Sequence, residues 1–169
     1  GGKSDVTVYG TNPKVKETEM LQMNPFSFPK EVHVLEHLDR LVEIFNVCWP
    51  MYAAMPAILK DAIERAYEKA GWDIEMSENK YDDNLFPTFK DVYEQIREVL
   101  EESEYSADNK GDYTGALVTR LRSLTTGING LIFNADEISM EELFDTNVIV
   151  DLSRIGSTET KSLIMGLLV

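Results

Sequence analysis

His33-Val34-Leu35-Glu36-His37 fits the pattern H-x-x-E-H. On a helix, histidines at i and i+4 can both grip zinc while the glutamate serves as general base. Zinc needs a third protein ligand as well, and the stretch 107–115, where proteases with this pattern place it, holds no Glu. On a helical wheel centred on Leu38, His37 flanks the apolar stripe and Glu36 points nearly opposite, as a solvated residue would. The spacing therefore reads as a pair of histidines on a helix flank. Zinc hydrolysis through His33, Glu36 and His37 is a remote alternative, and no metal site is expected.

Asp151 closes the apolar run Val148-Ile149-Val150. A carboxylate at a strand end can orient Mg²⁺ and water on a nucleotide, and open α/β sheets bind ligands at the carboxyl ends of their strands. The next residue is Leu152 rather than a second acid that could polarise water, so Asp151 reads first as a cap for the following turn. Arg120, Arg122 and Arg154 are the notable cations of an acidic chain. Ion pairing with nearby acids is their plain reading; contact with a phosphate, across a subunit boundary or within the chain, is the functional one. Arg120 and Arg122 leave the Leu117/Leu121/Leu124 stripe on opposite flanks and should meet different partners. No Ser-His-Asp or Cys-His arrangement can be argued. Cys48, in the apolar run Phe45–Met55, reads as a buried small hydrophobe.

Gly1-Gly2-Lys3-Ser4 carries the letters that end a phosphate loop, but such a loop runs straight into a helix. Here Asp5–Gly10 alternates like a strand, so a linker remnant is the better reading. Met20–Met23 reads as a second short strand, and Phe26 and Phe28 as an extended segment pinned onto a core. From about Glu31 the period becomes helical. Val34, Leu35, Leu38, Leu41, Val42 and Phe45 line one face, and Pro50 stops or kinks it. Pro56 starts a second helix with Gly71 just beyond its end. A polar loop spans Asp73–Leu85. Thr88 and Asp91 form a capping box for a third helix. After the polar connection Ser103–Gly111, a fourth carries Leu117, Leu121 and Leu124 and stops near Gly127. Ser139 with Glu142 caps a short fifth.

The final stretch, Asn147–Val169, reads as a strand buried on both faces, a turn at Gly156, and a helix capped by Ser157 or Thr158 with Glu159 in its first turn. A parallel strand cannot stand alone, and Leu163, Ile164, Leu167 and Leu168 run to Val169 without a stop signal. The expectation is an internal fragment of an α/β domain. Residues 1–30 supply sheet strands and an extended segment, 31–145 a four- to five-helix insertion, and 146–169 a strand and helix of the core.

Composition narrows the partners. Thirty acidic residues against 16 basic ones leave a net charge of −14, a field that repels nucleic-acid phosphates. The acids concentrate in 73–83 and 94–112, which read as solvated faces, or else as a docking surface for a basic partner. No apolar run approaches the length that spans a bilayer, and no signal segment opens the chain; a cytoplasmic protein with no membrane partner is expected.

The segments EHLDRLVEIFNVCWPMYAAMPAILKDAIERAYEKAGWD, GDYTGALVTRLRSLTTGINGLIF and NVIVDLSRIGSTETKSLIMGLLV resemble the middle of bacterial HerA/FtsK-type P-loop ATPases. More narrowly, they resemble proteins with a HerA-like helicase central domain. The resemblance runs from about Val6 to Val169. It implies a place between an upstream phosphate loop and a downstream Walker B strand, with the "DLSR" strand as a separate sheet strand. It further implies that the parent binds ATP and Mg and is a ring-shaped DNA translocase or helicase. This chain, lacking both nucleotide motifs, would be catalytically silent alone. Its partners would be the rest of the parent and neighbouring copies in the ring, with DNA reached only through the parent.

Overall fold

The computed structural model describes residues 6–14, 19–133 and 147–169. The Gly1–Ser4 motif and the short helix expected at 139–144 lie outside the described residues. Three short strands form a parallel sheet: β1 (Val6–Gly10), β2 (Glu19–Met20) and β5 (Asn147–Val150), in the order β2-β1-β5. Val8 lies opposite Ile149 and Tyr9 opposite Val150. The parallel partner that the last strand requires is therefore the first strand of the same chain. Local pattern cannot announce this pairing, because the hydrogen bond that joins the strand ends, from Thr11 to Asp151, spans 140 positions of sequence.

Between β2 and β5 the chain is helical. The amphipathic helices α1 (Val34–Cys48), α2 (Met55–Lys69) and α3 (Phe89–Glu102) turn their apolar stripes into one core. Leu38, Leu41, Phe45, Leu59, Ile63, Val92 and Ile96 are fully buried there, whereas Leu35, expected on the same face of α1, sits at its edge and is 38% exposed. The expected punctuation is in place. Trp49 closes α1 by donating its N–H to Phe45 O, Pro56 sits in the first turn of α2, and the Thr88/Asp91 box opens α3, with Thr88 N–H donating to Asp91 Oδ2 at 2.8 Å. Gly71 follows α2 at φ +107°, a left-handed conformation that ends helices and suits glycine.

Segment 21–28 is a strap pinned onto the core as expected, but it is not a continuous extended strand. β2 ends at Met20, short of the strand read at Met20–Met23. A turn at Pro25–Phe26, closed by Ser27 N–H to Asn24 O at 3.1 Å, buries Ser27 as well as Phe26 and Phe28. Leu21, Met23 and Phe26 are fully buried. Its polar groups are tied down as well, because buried backbone must be paired. Asn24 donates to Pro87 O and accepts from Phe26 N–H, and Tyr67 O–H donates to Phe26 O.

Several elements depart from the expectation. At the start of the polar loop 73–85, β3 (Trp72–Asp73) and β4 (Glu78–Asn79) pair as an antiparallel hairpin. Its strands are two residues each, too short to leave an alternating signal. The helix after α3 begins within the stretch read as a connection: α4 (Ala107–Tyr113) is capped by Ser106, which accepts from Asn109 N–H. It continues through a π-helical turn, Thr114–Val118, into α5 (Thr119–Ser123). Gly127, expected as a stop, instead opens α6 (Gly127–Ile132), where Ile132 and Phe133 are buried.

α7 (Thr158–Leu168) follows β5 and packs on α1. Leu163, Ile164 and Leu167 are buried. At Gly166 the helices meet so closely that a Cβ would lie 3.0 Å from Ile44 Cγ2. β5 is not buried on both faces: Ile149 is 55% exposed, and Val6 on the neighbouring strand is 50% exposed. Tyr9, which points to the other side of the pleat, is buried in the core. The described helices thus cover one face of the sheet and leave the other open.

Candidate functional site

The carboxyl ends of β1 and β5 bring the sequence-predicted strand-end residues to one edge. Asp151 N–H extends the ladder by donating to Tyr9 O at 2.8 Å, and buried Thr11 donates its hydroxyl to Asp151 O at 3.3 Å. Asp151 Oδ1 accepts from Ser153 N–H at 2.9 Å, so the carboxylate caps the turn 151–155, as its position before Leu152 suggested. Ile155 N–H donates to Leu152 O at 3.1 Å to close that turn. Gly156, the expected turn residue, lies beyond it. The same device follows β1, where Asn12 Oδ1 accepts from Lys14 N–H.

Asp151 is exposed, and its pKa is lowered chiefly by the Ser153 N–H, then by the Ser153 hydroxyl and the nearby Arg154 charge. Arg154 is exposed on the same turn. Past it, Ser157 caps α7 by accepting from Thr160 N–H at 3.3 Å, with Glu159 in the first turn. The edge thus offers one carboxylate, one guanidinium and a helix N-terminus already occupied by a serine hydroxyl. These residues do not by themselves fit a magnesium–nucleotide complex. Asp151 spends Oδ1 on the turn and is followed by Leu152 rather than a second acid, and none of the described loops at this edge wraps glycine N–H groups around an anion.

The other arginines lie elsewhere. Arg120, on α5, donates from Nη1 to Pro50 O at 3.0 Å, tying the α1–α2 connection to the later helices. Arg122 is exposed. The two meet different surroundings, as opposite flanks of the buried Leu117/Leu121/Leu124 stripe require.

The two histidines serve separate structural tasks. His33 is the N-cap of α1. Its Nδ1 accepts from Leu35 N–H at 3.1 Å, which leaves Nε2 as the donor to Glu75 O at 3.0 Å. His37 is buried and donates from Nε2 to Pro25 O at 2.8 Å. Burial pushes its pKa down to about 4; the bond to Pro25 opposes that shift, and the charge of Arg40 adds to it. Glu36 is exposed. With each ring already held by backbone groups, neither imidazole is presented to a shared ion. Among the described residues no three His, Cys, Asp or Glu side chains gather as metal ligands. Cys48 is buried, and burial raises its thiol pKa, with Glu159 adding to the shift.

The role of the β3–β4 hairpin was missed. Its tip reaches the start of α1, where Ser77, at φ +54°, accepts from Val34 N–H at 2.9 Å. That bond satisfies a helix-start donor from a residue 43 positions away. Also missed was Arg65, which bridges Asp61 on its own helix (3.3 Å) to Glu102 at the end of α3 (2.7 Å). The i,i+4 spacing could have suggested the first bond; the second depends on α2 packing along α3.

No protein-family model matches the chain, and no curated protein or solved structure matches it either. Among the described residues no helix is long and apolar enough to cross a membrane.

Proposed function

We propose that the chain is an internal segment of a HerA/FtsK-like ATP-driven motor, supplying sheet strands and a helical insertion between the parent's nucleotide motifs. The observation that carries this reading is the parallel pairing of β1 with β5 across a long helical crossover. That arrangement places the loops after both strands, with Asp151 and Arg154, at one edge, where nucleotide-handling α/β sheets keep their ligands. The worded resemblance of three long segments supports it independently. In this reading the phosphate loop, the water-polarising acid, ATP and Mg belong to other parts of the parent. Asp151 shapes the 151–155 turn, and Arg154, exposed on it, is the best placed of the arginines to meet a phosphate or a neighbouring subunit.

The test is ATP hydrolysis by the purified chain with magnesium, with and without duplex DNA. The expected result is no hydrolysis above buffer. Hydrolysis that disappears on Asp151→Asn or Arg120→Ala substitution would overturn the proposal, since the segment would then hold a catalytic centre of its own.

A further inference from the structure

A groove of about 510 Å³ runs between the first turns of α2 and the end of α3. Ala57 and Ile58 on one side and Val99 on the other give it an apolar floor, and Tyr105 lines it as well. Its rim carries three carboxylates, Asp61, Glu102 and Glu104, against one guanidinium, Arg65, and so is acidic on balance. Arg65 holds Asp61 and Glu102 in place through the two ion pairs described above, while Glu104 has no ion pair among the described residues. The apolar surface continues past the groove. Tyr105 meets Tyr113 edge-on at 5.4 Å between ring centroids, and Tyr113 lies 6.5 Å from Tyr52. Tyr52 is 58% exposed and Tyr105 37%. Single exposed tyrosines are ordinary on a protein surface. Two of them flanking the buried Tyr113 beside a groove with apolar lining give the composition that protein interfaces favour.

We infer that this groove docks a basic amphipathic segment of a partner protein, with lysines or arginines against Glu102 and Glu104 and an apolar side chain over Ala57 and Tyr105. Charge complementarity selects the occupant. Three carboxylates against one guanidinium line the groove on a chain of net charge −14, which disfavours acidic peptides and nucleic acid, while tyrosine faces attract cations. Arg65 pre-positions the Glu102 carboxylate, which lowers the ordering cost of forming a new pair. The inference is independent of the motor reading: a groove of this composition would dock a basic segment whether or not a parent ATPase surrounds it.

The test uses the whole chain and two labelled helical peptides, one with lysines opposite leucines and one with glutamates opposite leucines, read by fluorescence anisotropy. The lysine peptide should bind and the glutamate peptide should not. Affinity should drop at least about tenfold between about 0.1 M and about 1 M salt, over which the screening length falls from about 10 Å to about 3 Å. Glu104→Lys and Tyr105→Ala should each weaken binding by about five- to tenfold, and Tyr52→Ala by less. Glu75→Lys, which changes the net charge by the same amount on the exposed hairpin, should change it by less than about twofold. Circular dichroism melts establish that each variant is folded. Equal weakening by Glu75→Lys and Glu104→Lys would reduce the effect to net charge and overturn the inference. So would affinity unmoved by both tyrosine substitutions, or no binding of the lysine peptide at low salt.

Discussion

Acid should loosen this fold in part through the buried side chain of His37. Its ring lies buried on α1, 5.4 Å from the Phe28 ring, with Nε2–H donating to Pro25 O at 2.8 Å. Burial is the largest cause that moves its pKa from 6.5 to about 4. A histidine held neutral in the folded state takes up its proton more readily once unfolded, so the unfolded chain binds more protons between these two values. Native stability is therefore full above about pH 6.5, falls as the pH drops toward about 4, and loses nothing more from this group below that. The whole shift is worth about 3 kcal/mol, with a slope of about 1.2 kcal/mol per pH unit near pH 5.5. Urea unfolding of the chain between about pH 7 and pH 5 should lose about 2 kcal/mol to His37. Other groups titrate too, so the comparison is with His37→Gln, which keeps an N–H donor and removes the titration. At neutral pH that variant should cost about 1–2 kcal/mol, and its stability should be flatter with pH by the same 2 kcal/mol, approximately. Parallel pH profiles for the two proteins would refute the reasoning, because the buried ring would then contribute no linkage.

Three further substitutions probe the scaffold. Phe26 is fully buried against Tyr67 and Phe89, with centroids at 6.3 and 5.1 Å, so Phe26→Ala should cost about 3–5 kcal/mol in chemical denaturation; a loss below about 1 kcal/mol would mean the strap is not part of the core. Gly71→Ala should destabilise by more than about 1 kcal/mol, since the new Cβ would lie 2.5 Å from Asn79 Oδ1 and 2.6 Å from Tyr81 Cδ2 at φ +107°; an unchanged melting temperature would contradict this. Ser77→Ala removes the hairpin's cap from Val34 N–H and should cost about 1 kcal/mol, with faster amide exchange in the first turn of α1 as the local readout; unchanged exchange there would show that the hairpin does not cap the helix.

What the sequence made legible follows from the range of the interactions. The stripes of α1, α2 and α3, the proline in the first turn of α2, the glycine after it and the Thr88/Asp91 box all act within a few residues, so they leave a readable pattern. The role of Asp151 was legible for the same reason, because its carboxylate bonds two residues ahead. The pairing of β5 with β1 was not, since the two strands are joined only through the tertiary fold. The apolar letters of Val148–Val150 suggested burial on both faces, but letters report what a strand can bury and not what covers it; the exposure of Ile149 is the result. The H-x-x-E-H match read as a helix-flank pair of histidines from its spacing, but what holds each ring was not legible, because a linear pattern carries no record of backbone partners. Pro25 O and Glu75 O, which hold the two rings, lie 12 and 42 residues from them. The acidic groove was half legible: the charge was plain, and the apolar floor appears only once α2 lies along α3.

The central claim is that these strands and helices belong inside a larger nucleotide-driven motor. The coding sequence on either side of this segment in its gene tests it most directly. The account predicts a strand followed by G-x-x-x-x-G-K-[ST] upstream and an apolar strand ending in Asp-Glu downstream, in one reading frame. A continuous frame that lacks either motif would contradict it.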